Sequence, residues 1–146
     1  IMTSKGDFYV PHKDVKSNKE TIERWKVVMS KASAEHAGQV DKDGRRKIVS
    51  RTEILPPNKI CSESYLLIDV FQTKREAENL LSYIKTRFFR YLLSTILLTQ
   101  NISKDKFQFV PLQDFSHPWT DEMLYKKYGL DEKEIAFIES MIRPME

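Results

Sequence analysis

The sequence predicts an α+β fold: a small mixed or antiparallel sheet packed on one long helix, followed by a C-terminal pair of short helices. Three observations predict it. Short runs rich in β-branched and aromatic residues occupy the first half, one long amphipathic run follows, and two short helical patterns split by a glycine come last. The 146 residues, 40% hydrophobic, suffice for one core, so one domain over 1–146 is expected. Sheet and long helix would fill about 1–112 and a helical hairpin 113–146.

Taken in order, strands are expected over 8–10, 25–30, 47–51, 65–71 and 107–110, where several runs alternate apolar with polar. Gly38, Gly44 and the pair Pro56-Pro57 punctuate them. In "DKDG" a tight turn is favoured, with Gly44 free to take a positive φ, so Arg45 and Arg46 would stand at the turn. The run "TKREAENLLSYIKTRFFRYLLSTILL" predicts one helix over 74–98. Thr73 would cap it in a reciprocal box with Glu76, and Ala77, Leu80, Leu81, Ile84, Phe88, Tyr91, Leu92 and Thr95 follow at three-and-four spacing. Lys85, Arg87 and Arg90 are expected on its remaining surface. Two short helices should cover 121–128 and 132–142, with Gly129 at the first exit, Asp131 capping the second and Pro144 stopping it. That pair resembles a helix-turn-helix, but Glu132, Glu134 and Glu139 would face phosphates, so it reads as a packing module.

Composition excludes several classes. The longest apolar stretch, around "YLLSTILL", is far short of the roughly 20 residues that cross a bilayer, and no signal segment is visible. A cytoplasmic location without membrane contact is therefore expected. The single cysteine, Cys61, excludes an intrachain disulfide and a Cys-based zinc site. An isoleucine at the first position suggests a piece cut from a longer chain. The net charge of +3 hides an asymmetry: eight acids face four bases from Leu112 onward, a balance of −4, which leaves +7 on the preceding 111 residues. A basic body with an acidic tail suggests a polyanion partner, and a solvated face is the alternative.

No catalytic arrangement emerges. The chain lacks a phosphate-cradling glycine loop. His12, His36 and His117 are spread without metal-ligand spacing. Asp14-Val15-Lys16 is the one acid-x-lysine pair that a metal nuclease could use, with Asp7 as its upstream acid, and a chance match is the preferred reading. Cys61 reads as a small, partly buried residue.

What remains is the long segment 30–47, "SKASAEHAGQVDKDGRRK", which offers Lys31, His36, Gln39, Lys42, Arg45, Arg46 and Lys47, with Arg51 just beyond. Long loops in compact domains bind something or are floppy insertions, and both readings stand on physics alone. If it binds DNA, arginine and glutamine suit base edges while lysines hold phosphates.

Four stretches, "RWKVVMSKASAEHAG", "KIVSRTEILPPNKICSESYLLIDVF", "TKREAENLLSYIKTRFFRYLLSTIL" and "FQFVPLQDFSHPWTDEMLYKKYGLDEKEIAFIESMIRPM", resemble in the same order the C-terminal region of bacterial restriction-modification proteins. These are adenine-specific DNA methyltransferases and fused restriction endonucleases, type IIG-like or type I-like, whose last domain recognises the DNA target. The likeness runs from about Phe8 onward. It implies a target-recognition domain that binds double-stranded DNA and positions linked or associated methyltransferase or nuclease domains, without being an enzyme as this fragment. S-adenosylmethionine and magnesium would serve the parent enzyme, and no cofactor this fragment. "LPPN" lacks the flanking residues of the family's catalytic N/D-P-P-Y/F motif and reads as a turn. The loop after the "S-K-A" strand varies in that family, which points to His36, Gln39, Arg45 and Arg46. A small metal-dependent nuclease and a protein-docking module are the alternatives.

Overall fold

The computed structural model describes residues 1–31, 40–49, 51–96 and 110–145. Strand β3 (Trp25–Ser30) is central. It pairs antiparallel with β4 (Thr52–Leu55) on one side and with β5 (Tyr65–Phe71) on the other, in the order β4-β3-β5. Val27 lies opposite Ile54 and Met29 opposite Thr52, and a bulge between Val27 and Val28 shifts the β5 register so that they face Asp69 and Leu67. Strand alternation then sends Val27 and Met29 into the main core and Val28 into a smaller one.

The smaller core is closed by the start of the chain. Strands β1 (Met2–Thr3) and β2 (Gly6–Asp7) form a minimal hairpin, with Gly6 at φ +127°, a value only glycine adopts readily. Met2 bonds the main chain around Cys61 through Met2 N–H to Ile60 O (2.7 Å) and Ser62 N–H to Met2 O (2.9 Å). Its side chain packs on Val28, Leu55 and Tyr65, so the sheet is covered on both faces.

Helices α1 (Lys74–Lys85), α2 (Arg87–Ile96), α3 (Asp121–Lys127) and α4 (Glu132–Met141) cover the other face. Thr73 caps α1, accepting from Glu76 N–H at 3.3 Å, but the Glu76 carboxylate takes the Thr73 hydroxyl (2.9 Å) instead of the main-chain N–H, so the box is only half made. The complete box is at α4: Asp131 accepts from Glu134 N–H (2.8 Å) and Glu134 from Asp131 N–H (3.2 Å). Gly129 leaves α3 at φ +63°. No described helix is long and apolar enough to cross a membrane.

Antiparallel sheet, helical layer and C-terminal helix pair are thus as expected, while several details differ. The single helix over 74–98 is two helices, because Thr86 turns extended (φ −64°, ψ 151°) and starts a new one. Its hydroxyl accepts from Phe89 N–H (3.1 Å), and the Asp121 carboxylate accepts from Arg87 N–H (3.1 Å) and Phe88 N–H (2.9 Å), capping α2 from outside. Residues 97 and 98 lie outside the described residues. The strand expected over 47–51 forms instead at Thr52–Leu55, since Ile48 takes φ +69° and breaks the extended run. Residues 8–10 follow β2 without joining a ladder. Of the strand expected over 107–110 only Val110 is described, and it lies in a bend.

Candidate nucleic-acid interface

The connection from β3 to β4 leaves and re-enters the sheet at one point, where Ser30 N–H donates to Arg51 O (2.9 Å) and Lys31 N–H to Ser64 O (3.1 Å). Lys31 stands exposed at this neck. Arg51 is already engaged: its guanidinium donates to the Tyr65 hydroxyl (3.0 Å), pairs with Glu53 (3.2 Å) and lies 5.6 Å from the Tyr65 ring centre.

Beyond the neck, the turn after Val40 is organised by Asp41. Its Oδ1 accepts from Asp43 N–H (2.9 Å) and Arg45 N–H (2.8 Å), and Asp41 N–H donates to Arg45 O (2.7 Å). Gly44 takes φ +80°, as its position in the turn requires. The Arg45 N–H, helped by that of Asp43 and by the charges of Arg45 and Arg143, holds the Asp41 carboxyl below its ordinary range. Arg45 is largely neutralised inside the turn, 3.0 Å from Asp43 and 4.0 Å from Asp41. The buried Nε of Arg45 has no hydrogen-bond partner among the described residues.

Arg46 differs. Its main chain bridges to the end of α4, with Arg46 N–H donating to Met141 O (2.8 Å) and Arg143 N–H to Arg46 O (3.0 Å), while its side chain is exposed. Neither Arg46 nor the exposed Lys42 makes an ion pair with a described residue. The structure thus separates two adjacent arginines that the sequence offers as equals.

Lys47 is half-buried, and its carbonyl leads to a residue that sequence reasoning misplaced. Arg90, expected on the helix surface, is fully buried and donates to Thr86 O (3.2 Å), Lys47 O (3.2 Å) and Lys85 O (2.9 Å). Three carbonyls satisfy its planar fork, which is why a cation can sit inside the core. Burial lowers its pKa to about 10, so it stays charged at neutral pH. Its setting in "FFRYLL", apolar all round, was the legible sign that this position faces inward. Arg90 ties the segment after the turn to the α1–α2 break, and the Arg46 bridges tie the turn to α4. His36 and Gln39 lie outside the described residues.

The other chemical candidates disperse. Asp7 pairs with Lys59 (3.0 Å), and no group of three or more His, Cys, Asp or Glu side chains among the described residues could hold a metal ion. The His117 ring bonds Pro118 O and packs 4.5 Å from Trp119. Lys26, which strand alternation aims into the smaller core, is buried and gives its ammonium to the carbonyls of Thr21 (2.9 Å), Ile22 (3.1 Å) and Arg24 (2.6 Å), and burial lowers its pKa. Burial raises the pKa of the Cys61 thiol, the opposite of what a nucleophile needs. Comparison with protein-family models, curated proteins and solved structures finds no match for this chain.

Proposed function

We propose that this chain is a target-recognition domain that binds duplex DNA and positions a linked adenine methyltransferase or restriction endonuclease, itself doing no chemistry. The observation that carries the reading is Arg46: an exposed guanidinium on a main chain held from both sides, next to an exposed Lys42, neither of them ion-paired among the described residues. A side chain that must meet a base edge gains from such a fixed origin, because less motion is lost on binding. Lys31 at the neck adds a phosphate contact. Arg45 and Arg51, committed to Asp43 and to Glu53 and Tyr65, support the loop instead.

The test is anisotropy titration of the intact gene product on its preferred site, selected from a random duplex pool, and on random duplex, at two salt concentrations. Arg46→Ala should cost roughly 1 to 3 kcal/mol on the preferred site and far less on random DNA. Lys42→Ala should weaken both alike and lower the salt slope by about one unit. If neither variant changes affinity, sequence preference or salt slope, the turn is a solvated feature and the reading fails.

A docking role is the second reading. It is favoured by the apolar groove of about 410 Å³ between α2 and α4, where Phe88, Tyr91 and Leu92 face Phe137, which is 54% exposed. Partner binding that ignores added DNA would select it.

A further inference from the structure

The N-terminal segment leaves its aromatic residues in water. Tyr9 is fully exposed, Phe8 is 55% exposed and Val10 is 41% exposed, although the sheet behind them has a closed core. Phe8 and Tyr9 line a cleft of about 450 Å³, which adjoins a second of about 560 Å³ along Ile1, Val10, Val15 and Ile60, making a two-part depression. Lys16, Lys26 and Lys31 line the larger part together with Asp14 and Glu63, while in the smaller part, beside the rings, the carboxylate of Asp7 is taken by Lys59. Lys26 has its three donors on carbonyls and contributes only its field, whereas Lys16 and Lys31 are exposed. Lys31 is also the neck of the β3–β4 connection, so the depression begins where the proposed duplex contact ends.

Aromatic rings in solvent beside a lysine-lined groove are the combination that holds single-stranded nucleic acid: rings stack on bases, and cations follow the phosphates. We propose that this depression takes an unpaired DNA strand next to the duplex, with Tyr9 and Phe8 stacking on a base and Lys16 and Lys31 holding its phosphates. The proposal rests on the reading of the chain as a DNA-binding domain.

The test uses the intact gene product and fluorescein-labelled DNA in three forms: duplex, the same duplex with a single-stranded overhang, and oligothymidine. The overhang should raise wild-type affinity by roughly 5- to 150-fold, the range for one stacked base. The double variant Phe8→Ala/Tyr9→Ala changes only exposed rings, so it should fold and lose that gain while keeping duplex affinity. Tyr9→Phe should retain the gain. Arg46→Ala should lower duplex affinity and leave the overhang gain intact. A wild-type protein indifferent to the overhang, or a double variant that keeps the gain, overturns the proposal and leaves the duplex reading standing. Oligothymidine binding that depends on Tyr9 and Phe8, without duplex binding, supports the depression and sinks the duplex reading.

Discussion

Replacing Arg90 by methionine keeps much of the side chain's volume and removes its charge and its donors. Of the three carbonyls it serves, Thr86 O also accepts Arg90's own main-chain N–H (3.3 Å), and Lys47 O also accepts Val49 N–H (2.8 Å). The exposed debt is therefore one carbonyl, Lys85 O, which accepts from Nη2 at 2.9 Å. Stripping a buried acceptor costs about 1 to 3 kcal/mol, a part-buried one such as Lys85 O falls toward the low end of that range, and relief from burying a cation offsets part of it. Arg90→Met should accordingly destabilise by about 1 to 2 kcal/mol. Arg90→Ala leaves a cavity as well, adding about 2 to 5 kcal/mol, which approaches the whole stability of a small domain. Urea unfolding followed by the fluorescence of Trp25 and Trp119 measures both. Amide exchange supplies a local readout: in Arg90→Met the Val49 amide should exchange faster while the Ile138 amide of α4 is unchanged. A methionine variant as stable as the wild type, with unaltered exchange at Val49, would refute the idea that the guanidinium ties the turn to the helices.

Other outcomes follow from the same contacts. Asp121→Ala removes the carboxylate that caps α2 and should cost about 1 to 2 kcal/mol by urea unfolding. Tyr83→Phe loses the bond to Pro111 O (2.8 Å) and should cost about 0.5 to 1.5 kcal/mol. Burial pushes the Tyr83 hydroxyl up to about 12, above the usual 10, so its contribution is complete below pH 10 and lost as pH rises from there toward 12. Ultraviolet titration should show a late phenolate step that Tyr83→Phe removes. Asp41, with its pKa depressed, runs the other way: its contribution to the turn is present above the ordinary carboxylate value of 3.8 and lost as pH falls below it. The amide signals of Asp43 and Arg45 should broaden or shift in that acid range, and their constancy would contradict the turn geometry. Incubation with plasmid, magnesium and S-adenosylmethionine should yield neither specific cleavage nor methyl transfer.

Strand β3, strand β5 and the paired C-terminal helices were legible because their signals are local: alternation, a cap, a glycine exit. The helix break at Thr86 was not, because apolar spacing continues across it and the cap that starts α2 comes from Asp121, distant in sequence. A window of neighbouring residues cannot contain that information. The shift of the strand expected over 47–51 to β4, Thr52–Leu55, has a similar origin. Ile48 and Val49 have strand-forming side chains, yet both are buried against the helices, and Ile48 holds a positive φ that costs a β-branched residue of order 1 to 3 kcal/mol. Within the candidate interface, the "DKDG" pattern placed the turn at Gly44, but charge could not rank Arg45 against Arg46. That ranking depends on which arginine Asp41 and Asp43 neutralise and which one meets the end of α4.

The hydrogen bond between Ser30 and Arg51 has an evolutionary consequence. Both ends of the β3–β4 connection are fastened to fixed parts of the fold, the first at the sheet and the second through Arg46 and Arg90 to the helices. The stretch 32–39 between Lys31 and Val40 is bounded by anchors that do not depend on its own composition. The anchors at Ser30, Arg46 and Arg90 are made by residues outside that span, so they would persist when the sequence between them changes.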